Sequence, residues 1–206
     1  MGLISNGTTI FDAGALDSGL AKGSMSLIKK LTASSSGTLS FVHGASGVVL
    51  DSTYKEYFFT FKDIHPGTDE VTFRFNFSID SGSNYNVAKT GTNFYAGHTE
   101  GDATGFGSPG SGQQLAQATG TGYVVVGDMG SGNDECLAGY FCLFDPANTT
   151  SVKQYMGKST MYGSNPQSQI TYTGGYANTT SAVNAVQFSM SSGNIDSGDI
   201  CLYGIS

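Results

Sequence analysis

Side chains able to do chemistry are few in this sequence, and they lie apart. His43, His65 and His98 fall in three separate turns, with no HxH, HExxH or H-x-E pattern to gather a zinc ligand set. Neither the Gly-x-Ser-x-Gly elbow of a nucleophilic serine nor a Gly-x-Gly-x-x-Gly turn at a strand-to-helix junction is present. Two local carboxylate pairs, Glu100 with Asp102 and Asp134 with Glu135, have the residue type that glycan hydrolysis needs. Both sit among glycines, where an acid caps backbone amides, and neighbouring acids on a strand would point to opposite faces. They read as solvated turn acids. Asp80-Ser-Gly-Ser-Asn-Tyr-Asn and Asp128-Met-Gly-Ser-Gly-Asn-Asp-Glu collect oxygen ligands of the kind calcium takes. Neither follows the EF-hand spacing, and Asp-Ser-Gly-Ser is equally an ordinary hairpin turn. Cys136, Cys142 and Cys201 form no paired framework and no CxxC, so they read as small apolar core residues. No catalytic residue, cofactor or metal is assigned, and the expectation is a protein that is not an enzyme.

Ligand contact is the other chemistry on offer. The chain carries 11 tyrosines, 13 phenylalanines and no tryptophan, so any sugar-stacking face must come from Tyr and Phe. Tyr95, His98 and Phe106 lie in or near the long Gly-, Ser-, Thr- and Gln-rich stretch 97–121, and they are the candidate receptor contacts. The plainer reading puts Tyr95 in the core and lets Phe106 pin its loop.

Strands must position all of these groups. Gly, Ser, Thr and Asn make up 88 of 206 residues and charged residues only 12%, which excludes a coiled coil or helical bundle. An aromatic share of 12% argues against disorder. Nine basic residues against 16 acidic ones give a net charge of −7, and Arg74 is the only arginine. Such a chain cannot lay a basic face on phosphates, so no nucleic-acid partner is expected. No apolar run approaches the roughly 20 residues that cross a bilayer, and no membrane insertion is expected. Met1 to Phe11 has neither the charged nor the apolar region of a secretory signal, so the cysteines are expected to be reduced at synthesis.

Val71, Phe73, Phe75, Phe77 and Ile79 alternate with Thr72, Arg74, Asn76 and Ser78, the period of a half-buried antiparallel strand. Tyr54–Asp63 predicts a second strand with Tyr57, Phe59 and Phe61 inward, Phe58 on the other face, and His65-Pro66-Gly67 turning the chain. Further short strands are expected at Leu27–Leu31, Thr38–Val42, Gly47–Leu50, Thr92–Ala96, Tyr123–Gly127, Glu135–Phe144, Val152–Tyr162, Gln169–Tyr176, Ala185–Met190 and Asp199–Ile205. Thr179–Asn184 alone could hold a helical turn. Together these predict an all-β fold, an antiparallel β-sandwich of jelly-roll type over 30–206, with 1–29 as an extended N-terminal arm. The expected core comprises Tyr57, Phe59, Phe61, Val71, Phe73, Phe75, Phe77, Val124, Val126, Phe141, Leu143, Phe188, Ile200 and Leu202.

Several phrases recur in a known setting. Ser40-Phe-Val-His-Gly-Ala-Ser-Gly-Val-Val-Leu-Asp-Ser-Thr-Tyr-Lys-Glu-Tyr leads to Ile64-His-Pro and then to Asp80-Ser-Gly-Ser-Asn-Tyr. Near the end stand Thr179-Thr-Ser-Ala-Val-Asn-Ala-Val-Gln-Phe-Ser-Met-Ser-Ser-Gly-Asn-Ile and Leu202-Tyr-Gly-Ile. With the Met1-Gly-Leu-Ile-Ser-Asn-Gly-Thr-Thr start, they resemble a family of small virion structural proteins from tailed bacteriophages of marine bacteria. The resemblance implies a virion protein made in the host cytoplasm and released by lysis, with other virion proteins as partners. It also implies a homo-oligomer, a trimer by analogy with other phage appendages. The expected role is a tail-associated or fibre component that presents 97–121 to a host-surface glycan or protein receptor. Capsid decoration, cementing the head, is the alternative, and a free carbohydrate-binding module is a further one.

Overall fold

The computed structural model describes residues 3–6, 8–12, 15–16, 24–107, 114–120 and 122–206. Residues near the start pair among themselves, as β1 (Leu3–Ser5), β2 (Thr8–Asp12) and β3 (Ala15–Leu16) form a small antiparallel sheet. The remaining strands are β4 (Met25–Thr32), β5 (Thr38–Val42), β6 (Glu56–Pro66), β7 (Val71–Ser78), β8 (Lys89–Thr99), β9 (Thr104–Gly107) and β10 (Leu115–Ala118). They continue as β11 (Tyr123–Met129), β12 (Leu137–Phe144), β13 (Lys153–Gly163), β14 (Gln167–Ala177), β15 (Ala185–Met190) and β16 (Ile195–Ile205). Every ladder between them is antiparallel, and the fold is an all-β sandwich of two sheets. One sheet has nine strands, in the order β10-β8-β14-β13-β12-β6-β16-β4 with β9 also on β8; the other has four, in the order β11-β7-β15-β5.

Alternation within the strands builds the core. In β7, Phe73, Phe75 and Phe77 turn inward, and β6 answers with Tyr57, Phe59 and Phe61 from the opposite sheet. Their rings interlock across the gap: Phe61 meets Phe73 edge-on at 5.3 Å, and Phe75 meets Phe141 at 4.4 Å. Phe188 of β15 touches Phe59, Phe61 and Phe141 of the facing sheet. Every residue expected in the core is buried, and all but Val124 join the core cluster.

Several local expectations are corrected. Gly47–Leu50 is not a strand: residues 43–47 form a turn, with Gly44, Ser46 and Gly47 at φ of 80°, 50° and 81°, and 48–50 leave it as irregular chain. Val48 and Leu50 still reach the core, and the Nδ1 of His43 accepts the Leu50 N–H at 3.1 Å. Ile79 falls beyond β7 and is exposed, while Asn76 and Ser78 on the polar face are buried under the chain that follows. β6 runs through His65 to Pro66, which pairs with Ile195, after Asp63 at φ 50°. Thr179–Asn184 holds no helical turn. Met25–Thr32 is one continuous strand across the boundary placed between residues 29 and 30. Finally, the described residues within 97–121 include strand where a loop was expected: β8 extends to Thr99, and both β9 and β10 return to pair with it.

Candidate functional site

The three expected receptor contacts are not brought together. Tyr95 and His98 fall on alternate faces of β8, Tyr95 half-buried and His98 exposed. The His98 ring binds only its own hairpin, with Nδ1 3.2 Å from Thr104 Oγ1 and Nε2 3.4 Å from Asp102 Oδ1. The Phe106 backbone pairs with Ala96, and its side chain, like residues 108–113, lies outside what the structure describes.

The carboxylates serve turns. Glu135 accepts the Gly132 N–H, and Asp134 and Glu135 share a cleft with Asp63, His65 and Asp196. Among the described residues no three His, Cys, Asp or Glu side chains are placed to hold a metal ion. Asp80 accepts hydrogen bonds from Ser78 Oγ at 2.6 Å and from Asn84 Nδ2 and N at 2.7 and 2.8 Å, which hold its carboxyl down at about 2. Those bonds close the hairpin turn.

Cys142 is buried, but outside the core cluster. Its register neighbours Phe58 and Met156 share the outer face of the large sheet, opposite to Phe141 and Leu143. Burial, with Glu56 adding to it, pushes its thiol up to about 12. Cys136 precedes β12, so the two cysteines do not share one regular strand as expected.

That outer face carries a feature the sequence reading missed. Register places Tyr140, Lys158, Tyr172 and Phe94 side by side on four successive strands, β12, β13, β14 and β8. The next row along the strands is Phe58, Cys142, Met156, Gly174 and Thr92. Phe94 stacks on Tyr172 at 5.0 Å and 14°, and Tyr140 stacks on Phe58 at 5.1 Å and 23°. The Lys158 ammonium lies 5.4 Å from the Tyr172 ring centre, over its face. Phe94 is 55% exposed and Met156 53%, far more than ordinary packing leaves open. Between the two rows runs a mostly apolar trough of about 560 Å³ with Gly174 in its lining and Lys158 as the one charged residue among the described lining. A second hollow continues it through Thr92, Gly174 and Gly175 toward Leu115 and Tyr176.

Two adjacent glycines shape this trough differently. Among the described residues, a Cβ on Gly174 would meet nothing closer than the Tyr155 carbonyl at 3.8 Å. On Gly175 it would come within 2.3 Å of the Thr90 carbonyl and 2.6 Å of the Tyr155 hydroxyl, so that glycine is dictated by packing. The signal for the site was present in β12, where Tyr140, Cys142 and Phe144 alternate with Phe141 and Leu143, leaving no polar face. Compared with known proteins, the chain matches no family model, no curated protein and no solved structure.

Proposed function

We propose that this chain is a non-catalytic structural protein of a tailed-bacteriophage particle, a tail-associated component that binds a host-surface glycan through its outer-face trough. The trough is the observation that carries the binding reading. Concave, mostly apolar surfaces with a few polar groups at their edge are where ligands are held, and this one is in the size range of a small-ligand site. Thr92, Gln154 and Lys158 supply hydroxyl, amide and ammonium groups for sugar hydroxyls along an aromatic wall. A jelly-roll framework is supported by the strand orders β4-β16-β6-β12 and β5-β15-β7-β11, with the chain crossing between sheets from β4 through β7. The virion assignment itself rests on the sequence resemblance. Assembly as a homo-oligomer, a trimer, belongs to the same reading.

Capsid decoration is the second reading, favoured by one observation. β4 ends the large sheet, no described strand pairs with its outer edge, and Met25 and Leu27 on it are exposed, which suits edge-to-edge assembly on a lattice. Copy number separates the two. On a gel of purified virions a tail component should fall far below the major capsid protein, and a near-stoichiometric band would overturn the tail assignment. Incubation with host envelope polysaccharide should release no reducing ends, and their release would overturn the non-catalytic assignment.

A further inference from the structure

Lys89 opens β8 with its side chain fully buried, and no carboxylate lies within ion-pair distance of it among the described residues. Its Nζ donates to the side-chain oxygen of Asn76 at 2.5 Å and to the Val87 carbonyl at 3.0 Å. Asn76 is itself pinned: its Nδ2 donates to the Tyr85 carbonyl at 2.5 Å, and its Oδ1 also accepts the Phe77 N–H at 3.1 Å. A lone buried ammonium is costly, and the usual escape is to shed the proton. Desolvation lowers this lysine to about 8, so a neutral amine is accessible near neutral pH. An amine and a carboxamide are thus held in contact in a buried pocket, fixed by three backbone groups.

We infer that Lys89 and Asn76 form an intramolecular isopeptide bond that ties β7 of the small sheet to β8 of the large one. The neutral Nζ attacks Cγ of Asn76, and its lone pair becomes the new C–N bond. One proton passes from Nζ to Nδ2, the Cγ–Nδ2 bond breaks, and ammonia leaves. The product is a secondary amide, with nothing oxidised or reduced and no co-reactant consumed. With no carboxylate to relay the proton, it moves directly from the attacking nitrogen to the leaving one. The Nζ–Oδ1 contact keeps the amine beside the carboxamide, and such proximity raises the rate, intramolecular partners reaching effective molarities of about 10⁵–10⁸ M when aligned. The reaction removes the buried charge and replaces it with a neutral, hydrogen-bonded amide.

Mass spectrometry of the purified full chain tests this directly. The bonded protein is lighter than its sequence by one ammonia. Trypsin then no longer cuts after Lys89, so the peptide spanning 75–89 disappears and one spanning 75–153 replaces it, because 90–152 contain no Lys or Arg. Lys89→Arg keeps a buried donor but not the nucleophilic amine, and it should show the full mass; Asn76→Ala should restore cleavage after Lys89. A loss of ammonia that persists in Lys89→Arg would mark a succinimide instead and overturn the inference. A wild-type chain at full mass, cut after Lys89 following days at pH 8, would overturn it without any variant having to fold.

Discussion

The rings of Phe94 and Tyr172 stack 5.0 Å apart, directly across the β8–β14 ladder, on the side of the sheet that faces solvent. A cross-strand pair of this kind contributes about 0.2–1 kcal/mol to a sheet. Phe94→Ala should therefore lower stability by less than about 1 kcal/mol while weakening glycan binding. Urea unfolding monitored by circular dichroism supplies the first number. A loss above about 3 kcal/mol, in the range of buried aromatic truncations, would make the ring a packing residue rather than a contact.

Gly174 and Gly175 are neighbours with opposite tolerances. Gly174→Leu should leave stability within about 0.5 kcal/mol of wild type, because its side chain enters open space. Gly175→Ala should cost about 2–3 kcal/mol, since the new methyl collides with the Thr90 carbonyl and the Tyr155 hydroxyl. Thermal melts of the two variants check this. Equal melting temperatures would contradict the description of the trough floor.

Phe75 contacts Phe77, Tyr123, Phe141 and Tyr155 and is 1% exposed. Phe75→Ala should cost about 3–5 kcal/mol through the cavity left between the sheets. Equilibrium denaturation gives the value, and a cost near zero would mean the interlocked rings repack freely.

Cys142 makes stability depend on alkaline pH. Its folded pKa, about 12, lies above the ordinary thiol value near 8.5. Below about 8.5 both states hold the proton and its contribution is fully present. As pH rises toward 12 the unfolded state releases the proton first, so stability falls, by up to about 5 kcal/mol over the whole span. Buried tyrosines act in the same direction at higher pH, so the measurement is the difference between wild type and Cys142→Ala from pH 8 to 10.5. Wild type should lose stability faster than the variant, and parallel curves would contradict the assignment.

How much of this was legible in the sequence differed by feature. Strict alternation at Val71–Phe77 and around Phe59 is a local signal that burial on one face enforces, and those strands appear where the period put them. The turn at 43–50 was not legible as such, because Val48 and Leu50 are apolar for reaching the core from a loop, not for pairing in a ladder. A Gly- and Ser-rich texture at 97–121 masked β9 and β10, which are specified by pairing to β8 rather than by their own side chains. The trough was hidden for a different reason. Phe94, Tyr140, Met156 and Tyr172 come from four strands, and only the register of three ladders sets them side by side. Phe94 carries no local signal of its own, since its stacking partner Tyr172 is 78 residues away in the chain.

Binding of a host surface by the outer-face trough, the proposed function, is tested by one comparison. Fluorescently labelled wild-type protein and Gly174→Leu are titrated onto cells of the proposed bacterial host, after circular dichroism has shown both to be folded. Wild type should bind saturably, and the variant whose leucine fills the hollow should bind at least tenfold more weakly, a difference of about 1.4 kcal/mol or more. Equal binding by the two proteins, or no binding by wild type, would contradict it.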